Sequence, residues 1–300
     1  MIKRTLHFGN PVYLSTKNEQ LVVSYPEKEQ PDKTVAIEDI GVVILEHKQI
    51  TITNALLEKL NLAGAAVLHC NNQHLPIGLL MPLNGHTEQN ERIRTQLEAS
   101  APLKKNLWQQ TIKQKITNQA ELLKRKHINI KNMQHWAKVV TSGDSLNHEA
   151  RAAAYYWQNL FDLPHFNRHQ NGDPPNNLLN YGYAILRAIC ARALVSSGML
   201  PVIGIHHANK YNAYCLADDI MEPYRPMVDA LVLQLVAELG YPDELTTEHK
   251  KRLLQVPVLD VRLDGQTSPL MVAMSRTTAS LYDCFAGNSR KILYPSHVDG

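Results

Sequence analysis

The feature that most constrains this chain is a change in hydrophobic period near residue 81. Before it, apolar residues come in short alternating runs. After it, they recur every three or four residues. Runs at 5–8, 12–15, 21–25, 34–37 and 42–45 are rich in β-branched or aromatic side chains and are separated by Gly, Pro, Asn or charged turns, as strands are. Ile50-Thr51-Ile52-Thr53 alternates with period two, the pattern of a half-buried strand. One short helix is predicted at 54–63. Leu56, Leu57 and Leu60 share a face there, Thr53 or Asn54 supplies the N-cap, and Gly64 the stop. Strands return at 65–70 and 77–81. Regularly spaced short strands predict a sandwich or small barrel. The segment Met81-Pro82-Leu83-Asn84-Gly85-His86 carries breakers and little apolar content. A domain boundary is expected there, giving domains 1–83 and 84–300.

Helices are predicted at 88–97, 107–126, 147–161, 178–197, 215–221, 227–239 and 246–254, with a polar loop at 162–177. The expected fold class is therefore α+β: an N-terminal β-sandwich-like domain followed by a larger, all-helical domain carrying the chemistry. Past about residue 281 the chain, with Arg290, Lys291 and Ile292, reads as a flexible tail or a partner-binding arm.

A chain of 300 residues buries a sizeable core without covalent staples. Cys70, Cys190, Cys215 and Cys284 lie far apart with no CxxC spacing. That argues against structural zinc or a disulfide framework and fits a reducing compartment. Residues 1–10 are polar and lack the apolar core of a secretory leader. No uninterrupted apolar stretch approaches the length of a membrane span, because Arg187 and Arg192 break the longest. A cytoplasmic protein with no membrane partner is expected.

Charge is unevenly spread. Lys104, Lys105, Lys113, Lys115, Lys124, Arg125, Lys126, Lys131 and Lys138 face one acid, Glu121, over the same span. From 218 to 244 acids dominate. Taken alone, a basic run is most often a solvated helix face. A basic surface beside an acidic cluster is also how phosphodiester-processing proteins are laid out.

The acidic cluster lies in residues 204–226, GIHHANKYNAYCLADDIMEPYRP. His206 and His207 precede Asp218, Asp219 and Glu222 by about three helical turns of chain. Imidazole nitrogen and carboxylate oxygen together suit a divalent cation. On a helix, Asp218 or Asp219 shares a face with Glu222. Asp218 alone reads as an acid favoured near a helix N-terminus. Glu222 stands between Met221 and Pro223 in an apolar segment, where a carboxylate asks for a partner. The two histidines, adjacent in extended chain, point opposite ways, so one ligand at most is expected from them. Glu149, in a small-residue helix, reads on its own as a solvent-facing helix glutamate more readily than as a functional one, and is the distant carboxylate that would complete such a site. Tyr155, Tyr156, Trp157, Tyr181 and Tyr183 sit at helical spacing and read mainly as helix–helix filling, with base stacking as the other possibility. No Walker loop, no GxGxxG after a strand, no HExxH and no GxSxG elbow occurs. Nucleotide hydrolysis, nicotinamide chemistry, zinc proteolysis and serine hydrolysis lose ground accordingly.

Three motifs in order resemble one family: Ser145-x3-Glu149-Ala-x-Ala-Ala through Ala153, Asn180-Tyr181-Gly182-Tyr183-Ala184, and Gly204-Ile205-His206-His207 with residues 216–226. The chain resembles the CRISPR-associated integrase of the spacer-acquisition module, most nearly the form accompanying type II systems, over almost its whole length. The resemblance implies a homodimer whose N-terminal domain serves dimerisation and partner contact. It also implies a heterohexamer with a small ferredoxin-like partner, and DNA as substrate. By motif position it implies Glu149, His207 and Glu222 as ligands of Mn²⁺ or Mg²⁺, with Asp219 and His206 as supporting residues. Its implied reaction is transesterification by the 3′-hydroxyl of a captured fragment at the ends of a CRISPR repeat. Lys104, Lys105, Lys113, Lys115, Lys124, Arg125 and Lys126 would then track phosphates. The competing readings are a catalytically silent DNA-binding scaffold and a stand-alone metal-dependent nuclease.

Overall fold

A computed structural model describes residues 3–26, 30–72 and 76–298. The chain divides into two compact units, Met1–Thr87 and Glu88–Gly300. The first contains strands β1 (Arg4–Phe8), β2 (Val12–Lys17), β3 (Gln20–Ser24), β4 (Lys33–Ala36), β5 (Ile40–Leu45) and β6 (Ile50–Ile52), helix α1 (Asn54–Leu62), then β7 (Ala66–Cys70) and β8 (Pro76–Leu80). They form two sheets, in orders β1-β5-β7-β8 and β4-β3-β2-β6.

In the first sheet β5 runs parallel to both β1 and β7, while β8 returns antiparallel. In the second, β4, β3 and β2 are antiparallel and β6 joins β2 in parallel. Ile40 through Ile44 is buried at every position. A central parallel strand covered on both faces reads as a continuous apolar run for that reason. Leu14, Leu21 and Val23 from one sheet, Ile40, Val43 and Val67 from the other, and Leu56 and Leu60 of α1 share a single core. The Thr53 hydroxyl accepts from Leu56 N and caps α1, as predicted.

The second unit is largely helical: α2 (Gln89–Glu98), α3 (Ala101–Arg125), α4 (Lys131–Val139), α5 (His148–Leu160), α6 (Asn176–Ser196), α7 (Cys215–Met221), α8 (Arg225–Leu239), α9 (Thr247–Leu253) and α10 (Leu270–Phe285). It is not all-helical, which corrects the expectation. Strands β9 (Asp260–Leu263), β10 (Gln266–Pro269) and β11 (Ser296–His297) form a small sheet in order β10-β9-β11. Its hairpin turns on Asp264-Gly265, both at positive φ. An Asp-Gly pair is the residue choice such a two-residue turn requires.

Helix α6 is long and apolar enough to cross a membrane, but 72% of its most apolar window is buried inside the fold. It is a core helix, burying Leu178, Leu179, Ile185, Leu186, Ile189 and Leu194.

Helix α3 is the spine of this unit. Ser100 caps it, and Leu107, Trp108, Ile112, Ile116 and Leu123 are buried along it. The C-terminal segment is strapped to it. Gln110 Nε2 donates to Arg290 O and Gln110 Oε1 accepts from Ile292 N, at 2.9 and 3.0 Å. Tyr294 and Thr111 share a hydroxyl hydrogen bond of 2.7 Å, and Asn118 Nδ2 donates to Pro295 O at 3.0 Å. Residues 289–298 are thus a folded strap, neither a loose tail nor a free arm. The composition there could not reveal this, because apart from Tyr294 and His297 the strap is held to α3 through its backbone groups.

Candidate active site

The site is built on the face of α3 that carries Trp108 and Lys115. Seven residues are close to two helical turns, so both side chains project the same way. Three further segments meet this face.

The first is the start of α5. Residues 142–144 form a 3-10 turn with Gly143 and Asp144 at positive φ. Asp144 Oδ1 then accepts from His148 N and its Oδ2 from Glu149 N, at 3.0 and 2.9 Å. Two orphan N–H groups of the helix start are satisfied by one carboxylate, and Glu149 is fixed in the first turn.

The second is the loop 204–207 with α7. Asp219 is fully buried and accepts from Ile205 N at 2.8 Å, His206 N at 3.0 Å and His207 N at 3.3 Å. A side chain at Gly204 would put its Cβ 2.3 Å from His207 O and 2.8 Å from an Asp219 oxygen. Only glycine lets the carboxylate enter this ring of amides. Asp219 also lies 2.5 Å from His207 Nδ1. That hydrogen bond, followed by the charge of Asp219, Glu222 and Glu149, raises the His207 pKa above its usual value although partial burial opposes it. With the proton on Nδ1, Nε2 keeps its lone pair.

The two histidines do not point opposite ways as the alternation of extended chain predicts: the loop bends around the Asp219 carboxylate, and the two rings meet edge-on with centroids 5.2 Å apart. The His206 ring stacks flat on Trp108, centroids 4.1 Å apart, whereas His207 meets the same indole edge-on at 5.6 Å.

The third segment is the 3-10 turn Glu222–Tyr224 between α7 and α8. Asn118 Nδ2 holds Pro223 O at 2.7 Å. Glu222 Oε1 lies 3.0 Å from Arg225 Nε. Its Oε2 lies 2.6 Å from Lys115 Nζ, and the same ammonium donates to Glu149 Oε1 at 2.6 Å. Burial pushes the Glu222 carboxyl up, but Arg225, Lys115 and His207 outweigh it and hold the pKa below the ordinary value. Burial likewise pushes Lys115 down, and Glu222 and Glu149 outweigh it, so the ammonium is held.

The structure therefore brings Glu149 and Glu222 to one cation, with His207 close enough to feel both charges. Among the described residues no three His, Cys, Asp or Glu side chains are grouped closely enough to cage a metal ion. The position between the two glutamates is filled by Lys115.

That placement corrects the basic-surface expectation for Lys115. Its side chain is 12% exposed and engaged by carboxylates, not by solvent. Arg125 donates to Val298 O, and Lys126 to Leu160 O and Asp162, so both also serve the fold. Lys105 and Lys124 are exposed, while Lys104 and Lys113 are half-buried. Tyr156, Tyr181 and Tyr183 are buried and Tyr155 and Trp157 half-buried, as helix filling requires. Asp218 accepts from Arg187 at 2.7 and 3.1 Å and from Asn212 at 2.7 Å, away from the paired glutamates' ammonium. Sequence reasoning missed Asp144, Trp108 and the role of Lys115. The spacing of Trp108 and Lys115 within the buried stripe of α3 was the available signal.

With this geometry in hand, the comparisons are specific. A family model described as CRISPR associated protein Cas1 matches residues 7–255. The CRISPR-associated endonuclease Cas1 of Neisseria meningitidis is 36% identical over 282 residues, spanning 93% of this chain and 91% of that protein. Among solved structures, a casposase bound to integration product superimposes with a TM-score of 0.78 at 18% identity, over 97% of this chain and 92% of that one. A Cas6-RT-Cas1–Cas2 complex matches with a TM-score of 0.74 at 20% identity, over 96% of this chain and 35% of the other. These two share the fold. The α+β architecture, the site segments and the sequence likeness agree, and the chain belongs to the Cas1 family of CRISPR-associated endonucleases.

Proposed function

We propose that this protein is a metal-dependent DNA integrase of CRISPR adaptation, joining the 3′-hydroxyl of a captured fragment to the ends of a repeat. The observation that carries the reading is the convergence of Glu149 and Glu222, from elements far apart in sequence, on one cation position beside His207. The donor types fit a divalent cation, although with Lys115 seated between the glutamates they are not gathered into a cage. Glu222 Oε2 is buried and lies 2.6 Å from Lys115 Nζ in a contact that is poorly aligned as a hydrogen bond yet lowers the Glu222 pKa as one. Once His207 sheds its Nε2 proton that nitrogen can donate its lone pair, and two carboxylate oxygens with one imidazole nitrogen suit Mn²⁺ or Mg²⁺. Glu149, His207 and Glu222 would hold the ion. Bound there, it would polarise the scissile phosphodiester and stabilise the leaving oxygen.

The chain's own residues do the rest. Asp219 holds the His207 proton on Nδ1 and fixes the ring, the outer-shell arrangement that orients metal-binding histidines. Arg225 steadies the second Glu222 oxygen. Trp108 walls the site and orients His206. Lys104, Lys105, Lys113 and Lys124 present positive charge along α3 for phosphates, and DNA affinity is expected to fall steeply with salt. The first unit serves dimerisation and contact with a small ferredoxin-like partner in a heterohexamer. The Cas1–Cas2 assembly that shares this fold and the Neisseria relative support that reading and the type II-like assignment. The protein works in the cytoplasm, where its DNA targets are.

The test is the product. A fragment with free 3′-hydroxyls, a repeat-bearing plasmid, the small partner and Mn²⁺ are expected to yield joined DNA. Cleaved DNA without joining would make the protein a hydrolase. Binding without either, unaffected by chelator, would make it a scaffold.

A further inference from the structure

Lys115 does more than a surface lysine or a simple strut would require. One ammonium serves two carboxylates from different elements at 2.6 Å each. With Glu149 it forms a well-aligned hydrogen bond; its equally short contact with Glu222 Oε2 is poorly aligned. Glu149 is 26% exposed, so solvent ions reach the shared position from one side. Elsewhere in this unit a buried carboxylate is tied down quite differently. Asp229 accepts an aligned hydrogen bond from Tyr156 and another from Tyr183, both hydroxyls buried. Lys115 instead makes a charge contact of imperfect alignment, through a four-carbon stem that reorients easily.

We propose that Lys115 is an internal placeholder cation: it holds Glu149 and Glu222 together until a divalent ion takes its seat, so that metal and ammonium compete. The inference rests on the reading of those two glutamates as metal ligands. Carboxylate oxygens bind such ions at about 2.1–2.5 Å. An ion at that distance from both glutamates would overlap an ammonium that already touches both. Exchange must therefore move Lys115 aside. The charge consequence favours the reaction. With Lys115 in place, the two glutamates are balanced by Lys115 and Arg225. With a divalent ion in its seat and Lys115 kept at the rim, the same groups carry two excess positive charges, complementary to the negative charge of a phosphodiester. The displaced ammonium stays tethered to α3 at the rim of the site, within reach of a phosphate oxygen. Lys115 is thus a positioning residue before metal binding and a phosphate-binding one after it.

The test is Mn²⁺ titration by calorimetry on the full chain without DNA, comparing wild type with Lys115→Met, Lys115→Gln and Lys115→Arg. Removing the competitor is expected to tighten Mn²⁺ binding by about tenfold or more, equivalent to about 1.4 kcal/mol. Arginine, whose fork grips carboxylates more firmly, is expected to weaken it. In chelator, Lys115→Met is expected to melt below wild type, because two carboxylates then face each other unpaired. Mn²⁺ is expected to raise its Tm more than it raises that of wild type. Should Met fail to fold in chelator, Gln, which retains a donor, carries the same comparison. Mn²⁺ affinity unchanged or weakened in the folded Met and Gln variants overturns the proposal and leaves Lys115 a strut. If wild type binds Mn²⁺ and Glu222→Gln abolishes it, the ligand reading stands whatever Lys115 does. If no folded variant binds Mn²⁺, the ligand reading falls and the placeholder with it.

Discussion

Two of the buried carboxylates in the helical unit, Asp229 and Glu222, are held on opposite principles. At Asp229 one carboxylate is surrounded by neutral donors. The Tyr156 hydroxyl donates at 2.7 Å and that of Tyr183 at 2.5 Å, with Arg225 and Arg168 stacked over the Tyr183 ring. Burial dominates, and the Asp229 pKa is pushed up to about 6. At Glu222 a carboxylate equally buried sits beside a second carboxylate and is held by full cations, and its pKa is lowered. Hydroxyl donors satisfy a buried oxygen without inviting exchange. Cations beside paired glutamates make a position that another cation can take. The first centre ties α5, α6 and α8 together. The second has the chemistry of a working site.

The largest expected effect breaks the comparison at its root. Glu149→Ala, His207→Ala and Glu222→Ala are each expected to lower Mn²⁺-dependent strand transfer by about 10³-fold or more, the scale of removing a group that stabilises transition-state charge. Folding and salt-sensitive DNA binding should persist. Asp229→Asn, which keeps the shape of the other centre, should retain most of the transfer activity. Wild-type rates in all three ligand variants would dismantle the assignment.

Asp219→Asn sharpens the contrast next. It spares every proposed ligand but removes the charge that holds the His207 proton and replaces one of the two acceptor oxygens with a donor facing N–H groups. Outer-shell losses of this kind cost about 10–100-fold in metal affinity. A titration with Mn²⁺ measures it, and an unchanged affinity would show that His207 orients itself.

For Asp229 the expected damage lies in stability. Asp229→Ala leaves two buried hydroxyls without an acceptor, at a cost of about 2 kcal/mol or more. Denaturant unfolding would register it in chelator and in Mn²⁺ alike. At the Glu222 centre the same measurement should depend on the ion.

The same contrast explains what was legible in the chain. The two-sheet unit was readable strand by strand, because apolar alternation and turn residues are local signals, and the core formed from Leu14, Leu21, Val43, Leu56 and Leu60 rewards them directly. Helices with a wide apolar stripe, such as α6 and α8, were equally plain. Helix α10 and the β9–β10 hairpin were missed. The Asp264-Gly265 turn signalled the hairpin, and Leu270, Met271, Met274 and Leu281 recur at helical spacing, but both fall in a region without a strong domain pattern. At the site, the His206-His207 pair and the carboxylates of Asp218, Asp219 and Glu222 stood out by type and spacing, and the family resemblance singled out His207 and Glu222. Lys115 and Asp144 did not. A lysine in a basic helix looks solvated until the fold encloses it, and an aspartate before Ser145 looks like any loop acid until its two oxygens meet the N–H groups of His148 and Glu149.

The smallest expected effect separates the centres along the pH axis. The His207 pKa is raised above its ordinary value near 6.5, first by the hydrogen bond to Asp219. The protonated pair therefore contributes stability that is fully present below about pH 6.5 and is lost as pH rises through the higher folded value. Metal binding has the opposite sign, because Nε2 must shed its proton to coordinate. Mn²⁺ affinity should climb across that same window, by at most about tenfold per pH unit for one proton released. Asp229 titrates lower. Its contribution is present below its ordinary value of 3.8 and is lost as pH rises through about 6. Thermal melts at closely spaced pH, with and without Mn²⁺, should thus show an ion-independent loss up to about pH 6. Above it, the metal-free protein should continue to lose stability while the Mn²⁺-bound protein gains. Asp219→Asn should erase the upper divergence and leave the lower slope. A Mn²⁺ effect that is flat through the upper window would mean that the imidazole of His207 does not meet the ion.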